Sequence, residues 1–442
     1  MGTISAREIA LRVLIEYPGR AKPDELLERY LRDFDPERRE RALATHIVSG
    51  TIKWRRKLDY IIRRLSHKGR VVSPVALNVL RMSLYQLMFL DRVPDYSATS
   101  EGVNLVKKYE DRFEARYVNA ILRRFLRERD LLRFPDLKKD PVRHIATVWS
   151  HPPWLIRRYL KRYSVEDTIR LAEANNRIPD VGLRVNLLRT SLEDLRPLLI
   201  DDGAEIVSER FAGLPHVYVR GLTPIEETRV YRDGLIQVQD AASTLVASML
   251  APEPESRIVD LCSAPGGKVT HLYEMVGGRA TVVASDVSFK RLLKVRSNAQ
   301  RLGHSGMLLA VSDARQPGYG DCDFVLVDAP CTGLGVLARR WDLRWSKRER
   351  DIERMAALQV EMLSAAIDVA RRGGIVVYST CSIEPEENEN VVEKVLSQRK
   401  DVRLSDISQL VPAEVVYKYG MILTLPHVHG VDGMFAARLE RC

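Results

Sequence analysis

Apolar residues in the first third of the chain recur at helical spacing: Ile9, Val13 and Leu14; Ile47 and Val48; then Leu77, Leu80, Leu84, Leu87 and Met88. Few strand signals interrupt them. Ser73 before Pro74 supplies an N-cap and a first-turn proline, and SATSEGVNLVKKY (97–109) carries the Ser/Thr-then-Glu pattern of a helix start. An all-α domain is expected over 1–135. From 136 to 235 the pattern is mixed. A prolyl break and short basic helix in SHPPWLIRRYLKRY precede GLRVN, TSLEDLRPLL, AEIVSE and HVYVRG, which read as strand, helix, strand and strand. This predicts a small α+β connector. Over 236–442, β-branched apolar runs alternate with helical stretches and end in polar or glycine turns, as in RIVDLCSAPGGK, ATVVASD, DFVLVDAP and GGIVVYSTCS. Such alternation predicts an α/β domain with a largely parallel, doubly wound sheet, whose ligands sit at the carboxyl ends of the strands.

The polar positions sharpen this division. Residues 1–140 hold 30 Lys+Arg against 20 Asp+Glu, so they carry the whole net charge of +10 on the 442-residue chain. A cationic domain beside a neutral one suggests a polyanion-binding module attached to a different activity. Lys53, Arg55, Arg56, Lys57, Arg63, Arg64, Lys68 and Arg70, joined by Arg123, Arg124, Arg127 and Arg129, are candidate phosphate contacts or simply a solvated helical face. Trp149, Trp154, Tyr159 and Tyr163, interleaved with Arg157, Arg158, Lys161 and Arg162, could stack bases or anchor one domain on another. No uninterrupted apolar run approaches the roughly 18 residues of a membrane span, and no secretory pattern opens the chain. A cytoplasmic location without membrane attachment is expected. Five cysteines, without CxxC or Cys/His clustering, argue against disulfides and against a metal site.

Ile258 and Val259 lead into Asp260 and then CSAPGGK (262–268), where glycines allow backbone N–H groups close to a ligand. A phosphate-binding P-loop would need glycine at Cys262 and Ser or Thr at Val269, and the GxGxxG dinucleotide spacing is also missing. An adenosyl ligand without phosphate fits better. Asp286 closes the next strand about 20 residues on, where an acid meets ribose hydroxyls. Asp313, after the third strand, could receive an adenine amino group.

Two further strands end in VDAPCTG and STCS, which would bring Asp328, Cys331 and Cys381 to one rim of a parallel sheet. Two thiols and a carboxylate suit methylation at C5 of a pyrimidine, a carbon that becomes nucleophilic only after a thiolate adds at C6. The acid can meet N3 and the amino group of a cytosine, and the second thiol can act as or beside the base that removes the C5 proton. The residues alone leave open which cysteine attacks.

The ordered set LCSAPGGK, ASD, SDA, VDAPCTG and YSTCSIEPEENE resembles the bacterial RNA 5-methylcytosine methyltransferases. YVNAILRRF closing a basic helical region resembles the NusB-type RNA-binding domain, and PHVHGVDGMFAARLER resembles the closing strand segment of the RsmB/Sun (Fmu) family of small-subunit rRNA enzymes. The resemblance spans the whole chain. It implies a Rossmann-like class I methyltransferase domain with S-adenosyl-L-methionine as donor, no metal, and small-subunit (16S) rRNA as partner, with no obligatory protein partner evident. It further implies donor binding by Cys262, Ser263, Ala264, Pro265, Gly266, Gly267, Lys268, Asp286, Asp313 and Asp328. Cys381 becomes the nucleophile and Cys331 the release cysteine. One departure is ARRWDLRW, where the family usually has Pro-Asp and Trp341 here precedes Asp342, which bears on how this loop meets RNA. Cys322 and Cys442 match no motif. Two rival readings are a tRNA substrate, opposed only by the NusB-like region, and an RNA-binding antitermination or assembly factor with an inactive methyltransferase half. Intact Asp328, Cys331 and Cys381 speak against the second.

Overall fold

The computed structural model describes residues 4–17, 22–66, 72–222 and 224–442, and divides the chain into two compact units. The first comprises 1–176 together with 344–346; the second comprises 177–343 and 347–442.

The first unit is helical: α1 (Ala6–Glu16), α2 (Pro23–Phe34), α3 (Arg38–Lys53), α4 (Arg55–Leu65), α5 (Pro74–Phe89), α6 (Asp95–Tyr109), α7 (Arg112–Glu128), α8 (Pro141–Val148), α9 (Pro153–Arg162) and α10 (Val165–Ala174). α4 shows the governing pattern: Leu58, Ile61, Ile62 and Leu65 are buried at i, i+3, i+4 and i+7, while Arg63 and Arg64 remain exposed. Ser73 caps α5 by accepting from the Ala76 amide at 3.1 Å. α6 starts at Asp95, ahead of the expected Ser/Thr signal, because Pro94 already holds extended backbone and its carbonyl accepts the first helical bonds. α8, α9 and α10, at the start of the expected connector, cluster with the first unit. Tyr159 is fully buried there, so it offers no face to a base, and Trp149 donates to Glu173 at 3.2 Å. Lys53 is likewise no phosphate contact. It is buried, donates to the Asn176 carbonyl at 3.3 Å, and burial, helped by Arg344, pushes its ammonium down to about 7. Lys57 packs among the rings of Trp54, Phe89 and Phe134 at 5.1, 5.8 and 5.5 Å. Lys68 and Arg70 lie outside the described residues.

The second unit runs β1 (Val181–Val185), α11 (Leu192–Asp201), β2 (Glu205–Ser208), β3 (His216–Arg220), α12 (Arg229–Arg232), β4 (Ile236–Val238), α13 (Ala241–Leu250), β5 (Arg257–Asp260), α14 (Gly267–Met275), β6 (Thr281–Asp286), α15 (Phe289–Leu302), β7 (Leu308–Val311) and β8 (Cys322–Asp328). After the short α16 (Leu343–Ser346), of which 344–346 belong to the first unit, come α17 (Arg350–Val369), β9 (Ala370–Thr380), α18 (Glu389–Gln398), β10 (Val402–Leu404), β11 (Val416–Lys418), β12 (Met421–Leu423), α19 (Pro426–His429) and β13 (Phe435–Arg441). A four-stranded antiparallel sheet has the order β2-β3-β1-β4. The nine-stranded sheet has the order β11-β12-β13-β9-β8-β5-β6-β7, with β10 also on β13. Strands β5 to β9 pair in parallel, whereas β10 to β13 add antiparallel. Successive residues of the parallel strands feed opposite cores: Ile258, Leu326 and Val377 one side, Val259, Val325, Val327 and Val376 the other. Two buried faces explain why these strands read as continuous apolar runs.

Candidate active site

Strand order reverses between β5 and β8, so the chain leaves this point toward opposite edges and opens a crevice at the strand ends. The loop after β5 turns sharply there. Gly266 has φ +110°, and a Cβ on it would press to 3.3 Å from Val295, so only glycine suits the position. Ser263 ties the loop to the neighbouring strand, its amide and hydroxyl both donating to the Ser285 carbonyl at 2.8 and 2.9 Å. A cavity of about 270 Å³ is lined by Ser263, Ala264, Pro265, Gly267, Lys268 and Asp328 among the expected residues, and by Gly182, Gln239, Asp240, Asp260, Arg339 and Asp432 among others.

Electrostatics in the crevice are dominated by carboxylates. Burial first, then Asp328, pushes the Asp260 carboxyl up to about 8, and its Oδ2 is buried with no hydrogen-bond partner. Lys268 sits 2.8 Å from Asp328 Oδ2. Burial pulls this lysine down, but Asp328 overrides it and holds the ammonium above its usual range. Ser379 donates to the other Asp328 oxygen at 2.8 Å, as the parallel register Asp328↔Ser379 allows. That register carries the next turns together. Cys331 and Cys381, 50 residues apart in the chain, meet with their Sγ atoms 3.0 Å apart. The contact with Cys381, then burial, raises the Cys331 thiol well above its ordinary range, so it is protonated at neutral pH.

Other expected residues lie off the cavity wall. Asp286 is buried at the end of β6, accepts from the Ser288 amide at 2.9 Å and has Arg291 at 3.2 Å. Asp313 lies two residues beyond β7, partly exposed, in an ion pair with Arg315 at 2.6 Å, and it lines a separate polar hollow with Glu361 and Asp368. Cys262 faces the core, where burial raises its thiol.

Three groups went unread in the sequence. Glu387 is fully buried and accepts from the Thr332 amide at 2.8 Å, Ser382 Oγ at 2.6 Å and Gln359 Nε2 at 3.2 Å, and also from the Thr332 hydroxyl. It thereby joins the residues that directly follow the two cysteines. Arg184 on β1 is also fully buried; it donates to Glu274 at 2.7 and 3.1 Å, to Thr270 at 3.1 Å, and to the Gly267 carbonyl. Arg339 bridges Asp240 and Asp432 at 3.0 Å each. No spacing rule marks such residues, although the acidic run after Cys381 was a visible anomaly.

A Rossmann-like sheet with this crevice, a glycine loop of non-phosphate type and carboxylates at the strand ends is the architecture of an S-adenosylmethionine-dependent methyltransferase. Comparison with known proteins narrows the class. Residues 247–440 match the family described as 16S rRNA methyltransferase RsmB/F, residues 4–127 the NusB family, and residues 151–213 an RsmF/B-like ferredoxin-like domain. The chain is 30% identical over 449 residues to a probable ribosomal RNA small subunit methyltransferase B of Bacillus subtilis (strain 168), covering 100% of both. It is 34% identical over 412 residues to the ribosomal RNA small subunit methyltransferase B of Pasteurella multocida (strain Pm70), covering 90% of this chain and 88% of that one. The crystal structure of PH0851 superposes with a TM-score of 0.80 at 26% identity, covering 100% of both chains. The chain belongs to the RsmB/F family of rRNA methyltransferases, and is an RNA methyltransferase with a NusB-like helical N-terminal domain. Among the described residues, no helix is long and apolar enough to cross a membrane.

Proposed function

We propose that the enzyme methylates C5 of a cytosine in 16S rRNA through a covalent bond between Cys381 and C6 of the base. The observation that carries this reading is the pair of thiols 3.0 Å apart at the ends of adjacent parallel strands, beside Asp328. Cys381 gives up its proton and attacks C6 as the thiolate; the ring electron pair moves to N3, which takes a proton through Asp328, while Lys268 keeps positive charge close by. C5 then has enamine character. S-adenosyl-L-methionine supplies an electrophilic methyl group to that carbon. Because its thiol is protonated in the free enzyme, Cys331 acts beside the base that takes the C5 proton, and the S–C6 electron pair returns to Cys381.

The residues present fit the donor. A cationic sulfonium with an ammonium group suits a crevice where Asp260 keeps a buried, unpartnered oxygen and Asp328 and Asp286 stand at neighbouring strand ends. Our proposed donor set is Cys262 to Lys268 with Asp286, Asp313 and Asp328; for Asp313 this requires Arg315 to release it. The regions 1–135, 136–235 and 236–442 act as RNA-binding domain, connector and catalytic domain, and the place of action is the cytoplasm, where rRNA is assembled.

Bisulfite sequencing of unmodified total RNA after incubation with enzyme and S-adenosylmethionine tests the reading. A newly protected cytosine in small-subunit rRNA is expected. Protection confined to tRNA would overturn the target, and none on naked RNA or on ribosomal subunits would overturn the activity.

A further inference from the structure

α15 leaves the crevice directly after Asp286. Its buried face is Leu292, Val295, Ala299 and Leu302, and the opposite face is divided into two ridges. Phe289 and Leu293, four residues apart, form an apolar ridge, with Phe289 66% exposed. Lys290 and Lys294 form a cationic ridge beside it, and Arg296 is exposed at the edge. The helix has no acidic residue. Its other two arginines are committed: Arg291 to Asp286 and the Ala264 carbonyl, Arg301 to the carbonyls of Tyr231 and Ile236. Lys290, Lys294 and Arg296 have no ion-pair partner among the described residues. Folding explains the buried face but gives no reason to hold a phenyl ring in water beside unneutralised cations.

That combination matches a single polynucleotide strand, which presents flat bases to stack and a row of phosphates to neutralise. The bare cations favour a polyanion over a protein, which would have to set an acid against each of them. We propose that the exposed face of α15 is a second RNA-binding surface, holding RNA close to the target nucleotide by stacking on Phe289 and phosphate contacts from Lys290, Lys294 and Arg296. This rests on the RNA methyltransferase reading and adds to it a contact site outside the basic N-terminal region. Its position next to Asp286 lets the same helix that follows the donor strand steady an unstacked strand during the reaction.

The test uses the full chain, an unmodified 16S rRNA transcript and two variants, Lys290→Ala/Lys294→Ala/Arg296→Ala and Phe289→Ala. All four positions are exposed, so thermal unfolding should stay as in wild type. The triple variant is expected to lower the slope of log affinity against log salt by about 2, at roughly 0.7 per phosphate contact on a single strand. Phe289→Ala is expected to weaken RNA binding about tenfold, within the usual range for one base stack, with the slope unchanged. Affinity for S-adenosylmethionine should be unchanged in both. RNA affinity and salt slope equal to wild type in both variants would overturn the proposal, as would a loss confined to donor affinity in Phe289→Ala, which would assign the ring to the donor site. Wild-type enzyme that neither binds nor methylates the transcript would instead bring down the parent reading.

Discussion

Removing the Glu387 carboxylate should disable methyl transfer while leaving donor binding intact. This buried side chain is hydrogen-bonded to the residues following both Cys331 and Cys381. In Glu387→Ala the buried Thr332 amide and Gln359 amide each lose an acceptor, at roughly 1–3 kcal/mol each, whereas the Thr332 and Ser382 hydroxyls can turn toward each other across 3.4 Å. The net destabilisation is about 2–6 kcal/mol. Loosening the two loops by about 1 Å is worth on the order of a hundredfold in rate. Glu387→Gln keeps the shape and two of the accepted bonds but presents an amide to the hydroxyls, so about tenfold is expected. Single-turnover transfer of labelled methyl groups to rRNA measures the rate, and calorimetry measures donor affinity, which should stay within about twofold because the 262–268 loop hangs from β5 and α14. The rate at which diamide closes a disulfide between the two cysteines reports their separation and should fall in parallel. A folded Glu387→Ala enzyme with single-turnover rate within threefold of wild type would refute the reasoning.

Three further outcomes follow from the site. Cys381→Ala should abolish transfer and spare donor binding, while Cys331→Ala should accumulate protein covalently attached to RNA on a denaturing gel; retained turnover in the first, or no adduct in the second, would reverse the roles assigned to the thiols. Because the folded state raises the Asp260 carboxyl from 3.8 to about 8, its contribution to stability is complete below pH 4 and lost as pH climbs toward 8. The donor-free enzyme should therefore lose roughly 5 °C in Tm between pH 6 and pH 9, the effect of about 2 kcal/mol in a domain of this size, and Asp260→Asn should flatten that slope. Arg184→Met leaves Glu274 buried without its partner, at about 3–5 kcal/mol, and takes a donor from the Gly267 carbonyl; Tm should drop and the KM for S-adenosylmethionine rise, with Arg184→Met/Glu274→Leu regaining stability but not KM.

What could be read beforehand was whatever depends on local pattern. The helical spacing of Leu58, Ile61, Ile62 and Leu65, the strand runs ending at Asp260, Asp286 and Asp328, and the cap at Ser73 all follow from neighbours within a few residues. The meeting of Cys331 and Cys381 was also accessible, since parallel strands deliver their ends to one rim. Long-range partners were not. Charge at Lys53 says nothing of its burial, which depends on Asn176 more than a hundred residues away. Arg184 looks like an ordinary strand arginine until Glu274 is seen 90 residues on. At Asp313 the motif was legible but its pairing was not: Arg315, two residues along, holds the carboxylate at 2.6 Å.

Arg184 also sets a lower bound on the catalytic body. It comes from the small antiparallel sheet, yet its guanidinium is spent on α14 and the turn that opens it, with one further bond to the Gln239 side chain. A chain cut back to the nine-stranded sheet would keep every cysteine and carboxylate of the proposed chemistry, but would leave Glu274 buried and unpaired beneath its own donor loop. The small sheet therefore supports the floor of the proposed donor crevice, and a minimal enzyme is expected to begin ahead of β1. Insertions or fusions between 181 and 238 that shift this one strand should read out as donor-binding defects, however far they lie in sequence from the methyl-transfer motifs.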